Sequence, residues 1–184
     1  KTLDAQREQH TVTWTDPQSG LRVRCLGVQY LDYPTVEWTV YFKNTGASDS
    51  PLIEDIQAID TWFTSGAPGD LVLRHHTGDN CTPDSYEPHA EVLKPGSLKK
   101  IANARGRPTQ VAFPYYNLGW PGEGVLVVLS WAGQWATQFD RNDSNGVRVR
   151  GGQELTHFRL HPGEEVRGPM VVLQFYQGDW LRAQ

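Results

Sequence analysis

The chain is divided into short segments in which apolar side chains recur at every second position, and turn residues separate the segments. Leu21-Arg-Val-Arg-Cys-Leu26 alternates apolar and charged residues. Val36-Glu-Trp-Thr-Val-Tyr-Phe42 alternates again and stops at the turn signal Asn44-Thr-Gly46. Thr11-Val-Thr-Trp14 does the same ahead of Asp16-Pro-Gln-Ser-Gly20. A period of two sends successive side chains to opposite faces of a strand, so such a chain has to bury one face of a sheet. Further strands are expected over residues 70–74, 110–113, 124–131, 135–139, 146–150, 154–160 and 170–176. Strands at intervals of about 8 to 12 residues, joined by turn signals, predict an all-β antiparallel sandwich. Little helix is expected, and one domain over residues 1–184. Residues 1–10 carry no clear pattern. Residues 75–110, rich in Gly, Pro, Asp, Asn and Ser, read as a long loop, and long loops inside compact domains are usually functional or disordered.

Two motifs carry possible chemistry. Trp131-Ala-Gly-Gln-Trp135 sets two indoles four residues apart, with Gln134 between them. A sugar ring stacks its C–H face on an indole while an amide reads its hydroxyls, so Trp131, Gln134 and Trp135 are candidate sugar ligands. The alternative is that both tryptophans are core, since aromatic residues favour strands and buried Trp is common. The run Arg74-His-His-Thr-Gly-Asp-Asn80 gathers a cation, two imidazoles, an acid and an amide. Asp79 and Asn80 can bind vicinal hydroxyls, or Asp79 can simply cap its own turn.

Composition and spacing exclude several classes. The formal net charge is −4 without a basic run, which disfavours a nucleic-acid partner. No stretch of about 18 apolar residues is long enough to span a membrane as a helix. No signal-peptide pattern opens the chain, which starts at Lys1 and reads as trimmed; the compartment stays open. Cys25 lies in a strand-like run and Cys81 in a polar stretch, compatible with a disulfide in an exported protein or with two free thiols. His75 and His76 point to opposite faces if they lie on a strand, so one ion does not take both. Asp140-Arg-Asn-Asp-Ser-Asn145 lacks the spacing of a calcium loop. Glu54-Asp55 and Glu164-Glu165 are adjacent pairs whose side chains diverge, whereas glycosidases hold two carboxylates roughly 5 to 10 Å apart. The expectation is therefore no catalytic residue, no metal and no cofactor in this chain.

The order of Phe113-Pro-Tyr-Tyr-Asn117, Trp131-Ala-Gly-Gln-Trp135, Gly151-Gly-Gln-Glu154, Leu160-His-Pro-Gly-Glu-Glu165 and Phe175-Tyr-Gln-Gly-Asp179 resembles the N-terminal β-domain of α-galactosidases of glycoside hydrolase family 36. Asn44-Thr-Gly46, Ile53-Glu-Asp-Ile56 and Gly78-Asp-Asn80 fit the same pattern. The resemblance implies a supersandwich-like domain preceding a (β/α)₈ barrel, with both catalytic aspartates in the barrel and retaining hydrolysis of α-galactosides as the reaction. Synthases and transferases share the architecture. By resemblance, Gly78-Asp-Asn80 is the loop lent to the galactose pocket, often across a subunit interface, and residues 52–60 form a strand although Leu52, Ile53, Ile56 and Ile59 also suit a helix. The implied partners are the barrel, α-galactoside sugars and a second copy of the chain. Trp120, Trp180, Tyr115 and Tyr116 are candidates for an exposed docking patch. Ser130 where the family has Gly, and Tyr176 where it has Trp, are departures that bear on sugar specificity. Two other readings are a free-standing carbohydrate-binding module, built on Trp131, Trp135 and the 78–80 loop, and a purely structural domain.

Overall fold

The computed structural model describes residues 1–66, 68–103 and 106–183. Fourteen strands follow in chain order: β1 (Arg7–Thr15), β2 (Leu21–Tyr30), β3 (Thr35–Asn44), β4 (Ile53–Glu54), β5 (Ile59–Thr64), β6 (Leu71–His76), β7 (Pro88–Leu93), β8 (Leu98–Ala102), β9 (Tyr115–Trp120), β10 (Glu123–Ser130), β11 (Trp135–Arg141), β12 (Gly146–Gln153), β13 (His157–Phe158) and β14 (Glu165–Gln177). A 3₁₀ turn, Trp180–Ala183, follows. An eight-stranded sheet in the order β1-β2-β3-β14-β10-β9-β6-β7 faces a four-stranded sheet, β5-β12-β11-β8. A two-stranded ribbon joins β13 to β4. Every strand pairing is antiparallel, as the alternation demanded.

The core is built from alternate residues of the facing strands. Val125, Val127 and Leu129 of β10, Val171 and Leu173 of β14, and Leu71 and Leu73 of β6 pack against Trp135, Phe139, Val147 and Val149 of the smaller sheet. Tyr116 of β9 meets Phe139 edge-on at 5.0 Å and Trp135 at 6.4 Å, the favoured aromatic geometry. Trp38 of β3 donates its indole N–H to the Ala58 carbonyl at 2.9 Å and so ties the start of β5 to the larger sheet.

The structure departs from the sequence expectation where neighbours overrule local pattern. The stretch 75–110, expected to be a loop, holds β7 and β8. Each is the outermost strand of its sheet, which explains the Pro, Lys and Glu that disguise it: edge strands tolerate Pro at their start and carry charge. Glu91 of β7 links the two edges, bonding Lys99 at 2.6 Å and His75 at 2.9 Å. Residues 110–113 are not a strand; Ala112 makes one isolated bridge to Thr77, and the strand in this region is β9. Residues 52–60 are interrupted at Asp55, whose φ of 52° turns the chain between β4 and β5. Of residues 154–160 only the two of β13 pair, because their partner β4 is itself two residues long. β1 begins at Arg7, inside the stretch that carried no pattern. Cys25 and Cys81 are both free thiols.

The larger sheet outreaches the smaller one. Among the described residues neither β1 nor β2 buries a side chain. Val12 and Trp14, at 50% and 57% exposure, pair with Cys25 and Val23, which pair in turn with Val40 and Phe42 of β3. This wing carries on its open face the apolar surface that the core covers elsewhere.

Asn44 closes the far end of β3. Its side chain is fully buried, donating to the carbonyls of Leu160 at 2.7 Å and Ser48 at 2.8 Å and accepting from the Gly46 amide at 2.9 Å. Removing it strands buried backbone groups, so Asn44→Ala is expected to cost about 3 kcal/mol in urea unfolding; a loss below about 1 kcal/mol would contradict this role.

Candidate functional site

The turn at Gly78-Asp79-Asn80 follows directly from β6 and is pinned by a second segment, residues 106–112. Gly78 donates to the Val111 carbonyl at 3.0 Å and Asp79 to the Thr109 carbonyl at 2.6 Å. A Cβ on Gly78 would lie 2.3 Å from the Thr109 oxygen, so only glycine permits this approach. Asp79 Oδ1 accepts from the Cys81 amide at 2.8 Å and from Ser85 Oγ at 2.9 Å. The bond from Cys81 and then that from Ser85 hold the Asp79 carboxyl below its ordinary range. Cys81 itself sits in the left-handed region at φ 58°. Asp79 therefore caps its own turn, while its Oδ2 and the exposed side chain of Asn80 make no hydrogen bond among the described residues.

The same segment reaches the tryptophan motif. Trp135 donates its indole N–H to the Pro108 carbonyl at 2.6 Å, and its own carbonyl accepts from Asn103 at 3.0 Å. Asn103 Oδ1 in turn faces the Val111 amide at 3.4 Å. Gly78 and Asp79 on one hand and Trp135 on the other are thus tied to the same stretch, residues 108–111.

The paired-indole platform expected from the sequence does not form. Trp135 is the first inward residue of β11 and is wholly buried at 0% exposure, so neither face of its ring is open to a sugar. Trp131 precedes the strand, is half-buried, and lies against Gly133. The Gln134 amide donates to Glu154 Oε2 at 2.6 Å, and Glu154 Oε1 is 3.0 Å from Lys100 Nζ. Gln134, then Lys100, hold the Glu154 carboxyl low. The docking patch also changes. Tyr116 and Trp120 occupy inward positions of β9 and are buried at 2% and 8%. Trp180 is half-buried under the Arg74 guanidinium, 4.4 Å away. Only Tyr115, 49% exposed and stacked on Phe113 at 4.8 Å, is open.

His75 and His76 diverge as their strand positions require. His75 contacts Glu91 and lies 5.0 Å ring to ring from His89. Burial lowers the His75 pKa, and Glu91 acts against it. Among the described residues no three His, Cys, Asp or Glu side chains gather as a metal site. Asn117, which ends the Phe113-Pro-Tyr-Tyr-Asn117 motif but was not among the expected site residues, is a buried amide in an otherwise aromatic and apolar strand, with its Oδ1 2.7 Å from the Tyr176 hydroxyl.

Comparison of the sequence with protein-family models and with curated proteins finds no match. The fold, by contrast, is similar to part of several solved α-galactosidases. The family 36 α-galactosidase AgaA from Geobacillus stearothermophilus aligns with a TM-score of 0.73 at 18% identity, over 94% of this chain and 24% of the enzyme. The α-galactosidase from Lactobacillus brevis aligns at 0.72 and 14% identity, over 96% and 24%. A putative aldose 1-epimerase from Escherichia coli K12 aligns at 0.53 and 10% identity, over 96% of this chain and 67% of that one. The chain has the fold of a β-domain within family 36 α-galactosidases and spans about a quarter of their length.

Two outcomes test this geometry. Trp135→Ala is expected to destabilise the chain by about 3–5 kcal/mol, the range for emptying a large core site, and Trp131→Ala by less than half as much; equal losses would place both rings in the core. Because the Asp79 carboxyl is held low, its turn is fully formed above the ordinary aspartate range and loosens as pH falls through the lowered value. The Cys81 amide resonance should therefore titrate with a midpoint below about 3.9, and a midpoint at or above that value would contradict the capping geometry.

Proposed function

We propose that this chain is the non-catalytic N-terminal domain of an α-galactosidase-like glycoside hydrolase, packing on a (β/α)₈ barrel of the same polypeptide and helping to complete its sugar pocket. The observation that carries this reading is the fold shared over 94% of this chain with enzymes of which it makes up only 24%. Variants of AgaA have been solved with raffinose and with stachyose, which names the substrate class proposed here. The ordered motifs of the sequence support the same assignment.

The chain's own residues suit an accessory role. Retaining hydrolysis needs two free carboxylates about 5 Å apart. Here Asp60 is engaged by Arg148, Glu91 by Lys99 and His75, and Glu154 by Lys100 and Gln134. The barrel is therefore the source of the catalytic pair. The 78–80 turn offers Asp79 Oδ2 and the Asn80 amide, an acceptor and a two-way group suited to neighbouring hydroxyls of a galactosyl ring. Its backbone is held from two sides before any sugar arrives, which limits the ordering cost on binding. The barrel also covers the open face of the β1–β3 wing, since an exposed apolar surface of this kind marks a contact site. A second copy of the polypeptide is the further partner. The free-standing module is disfavoured, because its platform required Trp135 at the surface and that ring is buried.

The test is to recover the native protein with an antibody raised against this chain. The expected product is a polypeptide several times longer than 184 residues that hydrolyses raffinose, and in it Asn80→Ala lowers kcat/KM about tenfold through lost hydrogen bonds to the sugar. A product of this length alone, or one inactive on α-galactosides, would overturn the reading.

A further inference from the structure

The larger sheet has a second face, turned away from the core, and its outward residues build a cleft of about 420 Å³. That volume falls in the range of small-molecule sites. Half-buried Leu126, Val128 and Val172 form an apolar floor, and the Phe113–Tyr115 stack lines one wall. Arg74, His76, Asn117 and Gln174 supply the polar groups.

Two of these groups carry a buried nitrogen with no hydrogen-bond partner. Asn117 is 2% exposed; its Oδ1 accepts from Tyr176, and its Nδ2 is buried with no hydrogen bond. His76 Nδ1 is buried without a partner as well. Orphaned buried polar atoms are rare in folded chains and call for an explanation. The Arg74 guanidinium rests on the Trp180 indole, and no carboxylate pairs with it among the described residues, although Asp70 and Asp179 line the adjoining cleft. The sheet is shaped for this arrangement. A Cβ at Gly119 would come within 2.9 Å of Arg74 and 3.1 Å of the Tyr176 hydroxyl, and one at Gly124 within 2.3 Å of that hydroxyl. The two glycines let Arg74 and Tyr176 lie flat on the strands.

The polar lining consists of a cation, two amides and an imidazole, with the Asn117 N–H free to donate and no Asp or Glu among the residues of the cleft. Such a set selects an acceptor-rich occupant, and a guanidinium recognises a carboxylate through two parallel hydrogen bonds. The exposed Tyr115 ring suits the C–H face of a saturated ring. We infer that this cleft binds a monosaccharide-sized ring compound bearing a carboxylate, of which a hexuronate is the simplest example.

The test is titration of the 184-residue chain with galacturonate and, separately, with galactose, which has a hydroxymethyl group in place of the carboxylate. Amide shifts and Trp180 fluorescence report on the cleft. Galacturonate is expected to saturate, with shifts centred on Arg74, His76 and Asn117, at least tenfold more tightly than galactose. Arg74→Gln should weaken galacturonate tenfold or more and remove its advantage over galactose. Leu126→Trp, which fills the cleft from its floor, should abolish binding while the thermal melt shows a folded chain. No saturation up to tens of millimolar, shifts confined to the 78–80 turn, or equal binding of the two sugars would each overturn the inference. The readout is independent of raffinose hydrolysis by the longer polypeptide, so the two readings fail separately.

Discussion

The contact that the rest of the molecule depends on is the burial of the Trp135 indole between the two sheets. Its ring faces Tyr116 of the larger sheet, and its N–H holds the Pro108 carbonyl. The first contact locks the layers together through an aromatic pair and the second fixes residues 106–112 over the edge of the core. From there Thr109 and Val111 position Asp79 and Gly78. One side chain thus connects the packing of the sandwich to the geometry of its candidate loop. This gives the Trp131 to Trp135 motif a purpose different from a sugar platform: its second tryptophan is an anchor, and only the first reaches the surface.

The strands that lie in the middle of the sheets were legible because both of their neighbours impose the same alternation. β2, β3, β11 and β12 cover segments that the two-residue period marked, and β10 and β14 cover the apolar runs at 124–131 and 170–176. β7 and β8 were not, because an edge strand needs only one partner and carries Pro88, Glu91, Lys99 and Lys100 where an interior strand would be apolar. β9 was hidden for another reason. In Tyr115-Tyr-Asn-Leu-Gly-Trp120 the alternation is carried by Tyr116, Leu118 and Trp120 and is short, and its outward positions hold an amide and a glycine that are covered by Tyr176. The capping role of Asp79 was readable from Gly78-Asp-Asn80 as a local turn. The burial of Trp135 was one of two readings of its motif, and the motif could not decide between them, because strand phase is set by the partner sheet.

The asymmetry of the two sheets bears on how the domain would be used. A four-stranded layer covers the centre of an eight-stranded one and leaves β1 and β2 without a cover. Trp14 and Val12 on that wing are the kind of residues that a neighbouring domain buries, and in AgaA the part with this fold is 24% of the chain. The aromatic residues first suspected of docking, Trp120 and Tyr116, are spent on the internal core. On the opposite side, the outward face of the larger sheet places Arg74 and Asn117 over an apolar floor. One frame of paired strands holds the wing, the 78–80 turn and the outward cleft.

The central claim is that this fold serves a larger glycosidase by presenting the 78–80 turn to its sugar. The measurement that bears on it most directly is the structure of the native full-length polypeptide with raffinose bound. The account predicts Asn80 within hydrogen-bonding distance of the galactosyl ring and the wing face of Val12 and Trp14 covered by the barrel. A sugar pocket formed without any residue of the 78–80 turn, with the wing still open, would contradict it.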